Sequence, residues 1–283
     1  FIASTWAKLS RKKLVTVDYV TKALDKRIER VKKYDQKYTE LIEENSLLID
    51  TDGYKVGEIN GLTVLTIGDY SFGKPTKITA NTFMGKAGVI NIERETEMSG
   101  SSHSKGILIL RGYFGEKFAQ NFPLSLTASL CFEQLYNGVD GDSASSTECY
   151  AILSSLSDMP IKQSLAVTGS VNQKGIIQPI GGVNEKIEGF YSICKMRGLN
   201  GEQGVIIPIQ NVRNLHLSDD VINSVKEGKF HIYAVSTIDE GIEILTGVPA
   251  GKQTKSGTYP AGTINYLVYE KLKKYYENSK EVK

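Results

Sequence analysis

The sequence predicts an α/β (α+β) fold, in which a mixed body of strands and helices follows an N-terminal helical stub. All 27 Gly and all 7 Pro lie beyond residue 52, so the first part of the chain has no helix breaker. Turn signals then divide the next hundred residues into short strand-like segments. In the second half, strand-like and helix-like segments alternate, an order typical of α/β and α+β domains.

The helical stub is predicted over residues 1–45. Thr16 is a suitable N-cap for a helix with one apolar face, whose members recur every three or four residues: Val17, Val20, Leu24, Ile28 and Val31. The stub has 11 basic and 7 acidic side chains. We interpret this mixture as a solvated helix face, with a basic contact surface as the alternative.

Short strands are predicted from residue 46 onward. Asp52-Gly53 and Asn60-Gly61 are hairpin turn signals. The apolar run Gly106–Leu110 indicates a strand that is buried on both faces. Together these signals predict strands at residues 47–50, 54–58, 62–67, 77–81, 89–93, 106–110 and 124–132.

The second half predicts four helices, at residues 143–156, 184–196, 218–226 and 236–245, and three strands, at residues 164–168, 205–209 and 230–235. Gly228 and Gly247 are C-terminal helix stops, and Ser236 with Asp239 resembles a capping box. A polar segment, 251–283, follows and includes a terminal helix at 267–276.

Composition excludes several classes of protein. The 34 basic and 32 acidic residues give a net charge of +2, which argues against nucleic acid or an anionic membrane as the main partner. No apolar run is long enough to span a membrane. Three Cys without a CxxC pair exclude a disulfide scaffold and fit a reducing compartment. The start has no signal-peptide pattern, so we expect a segment of a longer protein.

Metal and nucleotide chemistry are also unsupported by motifs. None of the three His belongs to a metal-ligand pattern. His231 is interpreted as structural, whereas His103 lies in a predicted Ser/Gly-rich loop and is either a base or a solvated side chain. Neither GxxxxGK[ST] nor GxGxxG occurs, so we expect no ATP, dinucleotide or other cofactor in this chain.

Ser143 is the first candidate catalytic residue. Gly141-Asp-Ser-Ala-Ser145 approaches the GxSxG pattern without its last Gly. A Ser at the start of a helix lies beside free backbone N–H groups, which can bind a developing oxyanion. The alternative is a plain helix cap.

Lys186 is the second candidate. It follows Gly-Gly and the potential N-cap Asn184, and it adjoins an apolar helix face formed by Ile187, Phe190, Tyr191 and Cys194. The positive helix end and partial burial both disfavour its ammonium form. A lowered pKa would suit a general base, although a solvated Lys with a buried stem is the alternative.

Three ordered motifs resemble the proteolytic domain of Lon proteases: Gly141-Asp-Ser-Ala-Ser145, Ala166-Val-Thr-Gly-Ser170 and Pro179-Ile-Gly-Gly-Val-Asn-Glu-Lys186. The separation of 43 residues between Ser143 and Lys186 matches the family's Ser–Lys dyad. Phe132-Glu-Gln134 and Asp142 resemble the B-type branch. Four further segments resemble B-type-like bacterial members: Asn60-Gly-Leu-Thr-Val-Leu65, Gly68-Asp-Tyr-Ser-Phe-Gly73, Ile92-Glu-Arg-Glu95 and Val171-Asn-Gln173.

The resemblance implies a role for each matching residue. Ser143 falls on the nucleophile, Lys186 on the general base and Thr168 on a residue that hydrogen-bonds the dyad Lys. Glu133 and Asp142 fall on acidic residues near the B-type site, where they would either hold Lys186 or occlude an idle site.

The resemblance also implies an architecture. The proteolytic domain, residues 46–250, would have the ribosomal protein S5 domain 2-like fold and form homo-hexameric rings. Residues 1–45 would be the end of a missing AAA+ ATPase module, so ATP and Mg would be needed only by the full-length protein. The expected partners are polypeptide substrates, without nucleic acid or membrane, and the expected location is the cytoplasm.

Two other functions remain open. One is a hydrolase in which His103 is the base for Ser143; the other is an idle, ring-forming module with a closed site. Residues 75–79 and 98–105 are candidates for lining a substrate cleft, because extended peptides often add to strand edges.

Overall fold

Eleven strands are found in the computed structural model, which describes residues 2–68 and 70–281. In chain order they are β1 Tyr54–Lys55, β2 Glu58–Ile67, β3 Tyr70–Met84, β4 Gly88–Asn91, β5 Leu126–Phe132, β6 Ile161–Lys162, β7 Leu165–Val167, β8 Ser170–Val171, β9 Ile177–Gln178, β10 Gly204–Pro208 and β11 His231–Val235.

Ten α-helices surround these strands in the described ranges. They are α1 Ile2–Leu9, α2 Val17–Val31, α3 Lys33–Glu43, α4 Ile92–Glu95, α5 Ser101–Phe118, α6 Ser145–Ser157, α7 Val183–Arg197, α8 Asp219–Lys226, α9 Ile238–Thr246 and α10 Ile264–Glu281. A 3₁₀ helix covers Ile209–Asn214. No helix in the described ranges has the length and hydropathy that crossing a bilayer requires.

The central sheet is mixed, with the strand order β11-β10-β7-β2-β3-β5-β4. Strand β3 pairs antiparallel with β2 and β5, and the remaining pairs in this sheet are parallel. Two small sheets pair β1 with β6 and β8 with β9. The predicted mixed α/β class is therefore confirmed.

The two faces of the central sheet bury separate cores. Along β7, Leu165 and Val167 belong to the larger core, whereas Ala166 between them belongs to the smaller one. This alternation follows from the two-residue repeat of a strand. Helices α5, α6, α9 and α10 contribute to the larger core, and α7 contributes to the smaller one. Ser143 and Lys186 thus come from segments on opposite sheet faces.

Most predicted helices and strands are confirmed with boundaries that move by a few residues. Several predictions are wrong. Residues 47–50 form no strand, because the backbone there bonds to the Gln134 side chain instead of to a neighbouring strand. The N-cap of α9 is Thr237, which accepts from the Glu240 N–H, in place of the predicted Ser236 and Asp239.

Gly106–Leu110 lies inside α5, because its apolar residues continue a helical pattern that buries Ile107, Leu110 and Phe114. Asn60-Gly61 is not a turn but lies inside β2, where the Asn60 amide donates to the carbonyl of Gln163.

The N-terminal helices contact the rest of the chain through α3. Ile42 of α3 packs with Ile49 and with Ile193 of α7. The Arg197 guanidinium, at the end of α7, donates to the carbonyls of Ile42 and Ile49. The end of α3 is therefore fixed to the helix that carries Lys186.

The predicted apolar face of α2 is largely open to solvent. Val17 and Leu24 are 79% and 54% exposed, and Val20 is also exposed. The Ile28 and Val31 side chains of that predicted face lie outside the described part of the structure.

Candidate active site

Ser143 lies in the turn that connects β5 to α6. Gly141 has a φ of +86°, a conformation that glycine adopts without strain, and α6 begins two residues after Ser143. The Ser143 carbonyl accepts a hydrogen bond from the Gly169 N–H at 2.8 Å. This bond ties the turn that carries Ser143 to the chain that follows β7.

Lys186 lies in the first turn of α7 and is 3% exposed. Gly182, with a φ of +68°, is the N-cap of this helix, and its carbonyl accepts from the Lys186 N–H. The predicted N-cap, Asn184, is inside the helix, and its amide donates to the Asn214 carbonyl. Because Gly-Gly forms the turn itself, the helix begins one residue earlier than predicted.

Helix α7 rests directly on the backbone of β3. A Cβ atom at Gly73 would lie 2.0 Å from the Glu185 carbonyl oxygen and 2.7 Å from the Lys186 Cα. A Cβ atom at Gly189 would lie 2.1 Å from the Gly73 carbonyl oxygen. These two glycines permit the close approach that fixes the height of Lys186 above the sheet.

Thr168 joins the two candidate catalytic residues. It directly follows β7, and its backbone N–H donates to the Ile206 carbonyl. Its Oγ1 donates to the Ser143 carbonyl at 3.2 Å and lies 3.0 Å from the Lys186 Nζ. Because the Thr168 hydroxyl donates its hydrogen to the Ser143 carbonyl, the lone pairs of the Thr168 oxygen face the Lys186 amine.

The Lys186 Nζ lies 2.9 Å from the Ser143 Oγ. Burial lowers the pKa of Lys186 to about 8, and the negative charge of Asp142 opposes this shift. In its neutral form the amine can donate to Thr168 and direct its lone pair toward the Ser143 hydroxyl. The arrangement can therefore remove a proton from Ser143.

The two acidic candidates do not bond to this group. Asp142 is exposed, and its Oδ2 accepts from the Ser170 hydroxyl at 2.8 Å. Glu133 accepts from the Thr79 hydroxyl at 2.7 Å. Thr79 is six residues beyond Gly73 on β3, or about 20 Å along the strand. The structure thus brings together Ser143, Lys186 and Thr168, but Glu133 lies elsewhere.

Asp140 is a residue at this site that the sequence did not predict. Its Oδ1 accepts from the Gly141 N–H at 2.7 Å and lies 3.4 Å from the His103 backbone N. The first of these hydrogen bonds helps to keep the pKa of Asp140 below its usual value. Asp140 therefore links the nucleophile turn to the start of α5, a link that was missed because α5 was read as loop and strand.

His103 is not in a loop, contrary to its predicted position. It lies in the first turn of α5 and is 1% exposed. Among the described residues it makes no hydrogen bond with Ser143. The geometry does not favour His103 as the base.

The backbone around Ser143 also provides free donors. Within the described ranges, the N–H groups of Asp142, Ser143 and Ala144 donate to no protein acceptor. They lie at the N-terminus of α6, where the helix dipole is positive. Such groups can stabilise an oxyanion that forms beside the Ser143 Oγ.

Comparison with known proteins adds an independent observation. Residues 137–247 match the family of the Lon protease (S16) C-terminal proteolytic domain. The chain is 43% identical over 208 residues to a "Putative Lon protease homolog" of Escherichia coli (strain K12), which covers 73% of this chain and 35% of that protein. A protein of the same name from Haemophilus influenzae is 39% identical over 240 residues, covering 84% of this chain and 40% of its own length.

An "Archaeal Lon protease" of Archaeoglobus fulgidus is 31% identical over 242 residues, which cover 84% of this chain and 35% of the relative. The chain thus spans between 35% and 40% of the length of these three relatives.

Proposed function

The chain belongs to the Lon protease family through the C-terminal proteolytic domain, and from this premise we propose that it is a serine endopeptidase with a Ser–Lys dyad. Ser143 is the nucleophile, Lys186 is the general base and Thr168 orients Lys186. The observation that carries this proposal is the set of contacts that Lys186 makes with Ser143 and Thr168 in a buried position.

The first half of the reaction forms an acyl-enzyme. Neutral Lys186 takes the proton of the Ser143 hydroxyl as the oxygen attacks a peptide carbonyl. Free N–H groups of Asp142, Ser143 and Ala144 receive the oxyanion, and each such donor contributes about 3 kcal/mol. When the tetrahedral intermediate collapses, the Lys186 ammonium donates its proton to the leaving amine.

The second half restores the enzyme. Water replaces the departed amine product, and Lys186 removes a proton from it as it attacks the acyl carbon. The same N–H groups receive the second oxyanion. Collapse releases the carboxyl product, and the proton on Lys186 returns to the Ser143 oxygen.

A competent site is favoured over an idle one. Asp142 bonds to Ser170 and leaves the Lys186 amine to Ser143 and Thr168. A carboxylate bonded to Lys186 would instead hold the amine in its charged form, which cannot accept a proton.

The domain organisation, oligomeric state, location and substrates of the whole protein are part of the same proposal. Because the chain spans at most 40% of the three relatives described above, we assign residues 1–45 to the end of an AAA+ module that would bind ATP and Mg. Residues 46–250 are the proteolytic domain of the ribosomal protein S5 domain 2-like type, followed by residues 251–283. The ring is a homo-hexamer in the cytoplasm that degrades unfolded or damaged polypeptides.

The test compares three proteins in one peptide-cleavage assay: the wild type, Ser143→Ala and Lys186→Ala. We expect cleavage only by the wild type, with all three folded by circular dichroism. A fluorophosphonate probe should label wild-type Ser143, and mass measurement should give the assembly size. Full activity of either mutant would exclude the dyad, and a wild type that neither cleaves nor labels in its assembled form would favour the idle module.

A further inference from the structure

A buried pair of ionisable side chains lies beneath the nucleophile turn and has no part in the proposed reaction. His103 of α5 and Glu148 of α6 each have side chains that are 1% exposed, with 3.5 Å between His103 Nε2 and Glu148 Oε1. Within the described ranges, no hydrogen bond reaches His103 Nε2 or either carboxyl oxygen of Glu148. Burying polar atoms in this way is unfavourable unless they interact with each other.

The pair contacts both sides of the turn that carries Ser143. The His103 imidazole lies near the backbone of Gly141, two residues before Ser143, and the His103 backbone N lies 3.4 Å from Asp140 Oδ1. The Glu148 backbone N–H donates to the carbonyl of Ala144, directly after Ser143. The bond of Glu148 belongs to the backbone of α6, so it is His103 whose side chain lies beside the turn, and Glu148 acts through its contact with His103.

Helix α5 packs closely against this turn. A Cβ atom at Gly106, one turn beyond His103, would contact the Cβ atoms of Ser145 and Asp142 at 3.5 and 3.7 Å. Phe132 covers the imidazole from the sheet, with its ring edge-on and 5.3 Å away. His103 thus has a fixed position from which a change in its contacts would be transmitted to the turn.

Both members of the pair favour their neutral forms. Desolvation lowers the pKa of His103, and it raises the pKa of Glu148 well above its usual value. The acidic groups that face the imidazole are Glu93 from α4, Asp140 from the turn and Glu148 from α6. Glu93 already accepts from the Phe132 N–H and the Asn91 amide.

Neutral forms make the two groups complementary. A protonated carboxyl group of Glu148 has an O–H donor, and the Nε2 of a neutral imidazole with its hydrogen on Nδ1 is an acceptor. The Nδ1–H group can then donate toward the nearby Gly141 carbonyl. One imidazole tautomer can thus pair both ring nitrogens and one oxygen of the Glu148 carboxyl group.

We propose that His103 is a positioning residue for Ser143, held between the Glu148 carboxyl group and the Gly141 carbonyl so that the turn presents the Ser143 hydroxyl to Lys186. The inference rests on the proposed function of Ser143 and Lys186. It assigns no chemical step to His103, which acts only through the backbone of the nucleophile turn.

The experiment measures kcat and KM for a peptide substrate and the rate at which a fluorophosphonate labels Ser143. His103→Phe and Glu148→Leu keep the size of each side chain but remove its polar atoms. We expect each to lower kcat and the labelling rate by about tenfold, the effect of a misplaced reacting group, with KM unchanged.

A rescue variant separates positioning from simple packing. Glu148→Gln keeps a donor for His103 Nε2 without a titratable proton, so we expect kcat to stay within about threefold of the wild type. Ile152→Ala is the control for stability, because Ile152 is buried on the same helix and belongs to the larger core. It should lower the free energy of unfolding but leave kcat unchanged.

The possible failures are distinguishable. A wild-type kcat in His103→Phe would overturn the positioning role and leave the dyad intact. The same conclusion would follow if the kcat of Glu148→Gln were as low as that of Glu148→Leu. If His103→Phe does not fold, His103→Gln, whose amide can donate to the Gly141 carbonyl, replaces it and should keep more kcat than Glu148→Leu. Wild-type protein that fails to label, or full activity in Lys186→Ala, would overturn the proposed function itself.

Discussion

The Lys186 Nζ lies 2.9 Å from the Ser143 Oγ, although 43 residues separate the two in the chain. Ser143 precedes a helix of the larger core, and Lys186 begins a helix of the smaller core. Thr168, at the end of a strand between the two helices, contacts both. The sheet therefore positions the proposed base relative to the proposed nucleophile.

The rate of peptide cleavage should rise with pH through the titration of Lys186. Burial lowers the pKa of this amine to about 8, and only the neutral amine can accept the Ser143 proton. We expect the acidic limb of kcat/KM to have an apparent pKa near 8. A pH–rate profile from pH 6 to 10 measures it, and a flat profile would contradict the role of Lys186 as base.

Replacing Asp142 with Asn should move that acidic limb to lower pH. Although burial is the larger influence on Lys186, the charge of Asp142 raises the pKa of the amine against it. Without this charge the amine loses its proton more easily. Glu133→Gln is the matched control, because Glu133 bonds to Thr79 and should leave the profile unchanged. Equal shifts in both variants would argue against a specific effect of Asp142.

Lys186→Met should stabilise the folded protein at pH 7. The pKa of Lys186 falls from its ordinary value of 10.5 to about 8, so the unfolded chain binds more protons between these two values. Wild-type stability should therefore rise from about pH 8 to 10.5, by about 3 kcal/mol in total.

The Met variant lacks this pH dependence, so its advantage at pH 7 should disappear near pH 10.5. Urea unfolding at both pH values measures the difference. Parallel pH dependence in the two proteins would show that Lys186 is not strongly desolvated.

Gly73→Ala should inactivate the enzyme without touching the dyad. The added methyl group would overlap the Glu185 carbonyl oxygen, so α7 must move away from β3. A displacement of about 1 Å at the base can lower kcat by about a hundredfold, and the overpacking costs about 1–3 kcal/mol of stability. Gly115→Ala on α5 is the control, because in the described ranges no atom outside the adjoining backbone of its own helix lies within 4 Å of the new methyl group. Unchanged kcat in Gly73→Ala would mean that α7 adjusts without moving Lys186.

Thr168→Val should lower kcat, whereas Thr168→Ser should retain most of it. Valine has the shape of threonine but neither accepts from Lys186 nor donates to the Ser143 carbonyl. We expect a loss of about tenfold to a hundredfold for valine and less than about threefold for serine. Steady-state kinetics of both variants test this, and equal losses would attribute the effect to packing.

The sequence predicted those residues of the site that belong to local motifs. Ser143 precedes a helix and Lys186 lies in the first turn of one, and the turn residues around them are recognisable in the chain. The role of Glu133 could not be judged in this way, because sheet register decides which residue it contacts. The Glu133 N–H bonds to the Lys77 carbonyl, and its carboxylate reaches Thr79 on the same strand.

Other features depend on contacts between distant segments. Gly73 and Gly189 look like ordinary glycines until α7 is placed on β3. The positions of Asp140 and His103 beside the Ser143 turn depend on α5 being a helix. The sequence predicted a strand there, because an apolar run of five residues fits either structure.

The division of the two proposed catalytic side chains between opposite layers has a consequence for biosynthesis. A nascent chain that has docked α6 but not α7 has a serine without a base, and the reverse intermediate has a lysine with nothing to deprotonate. Cleavage thus becomes available only after both layers have closed on the sheet. A chain that is still being made therefore lacks the paired side chains that the proposed reaction requires.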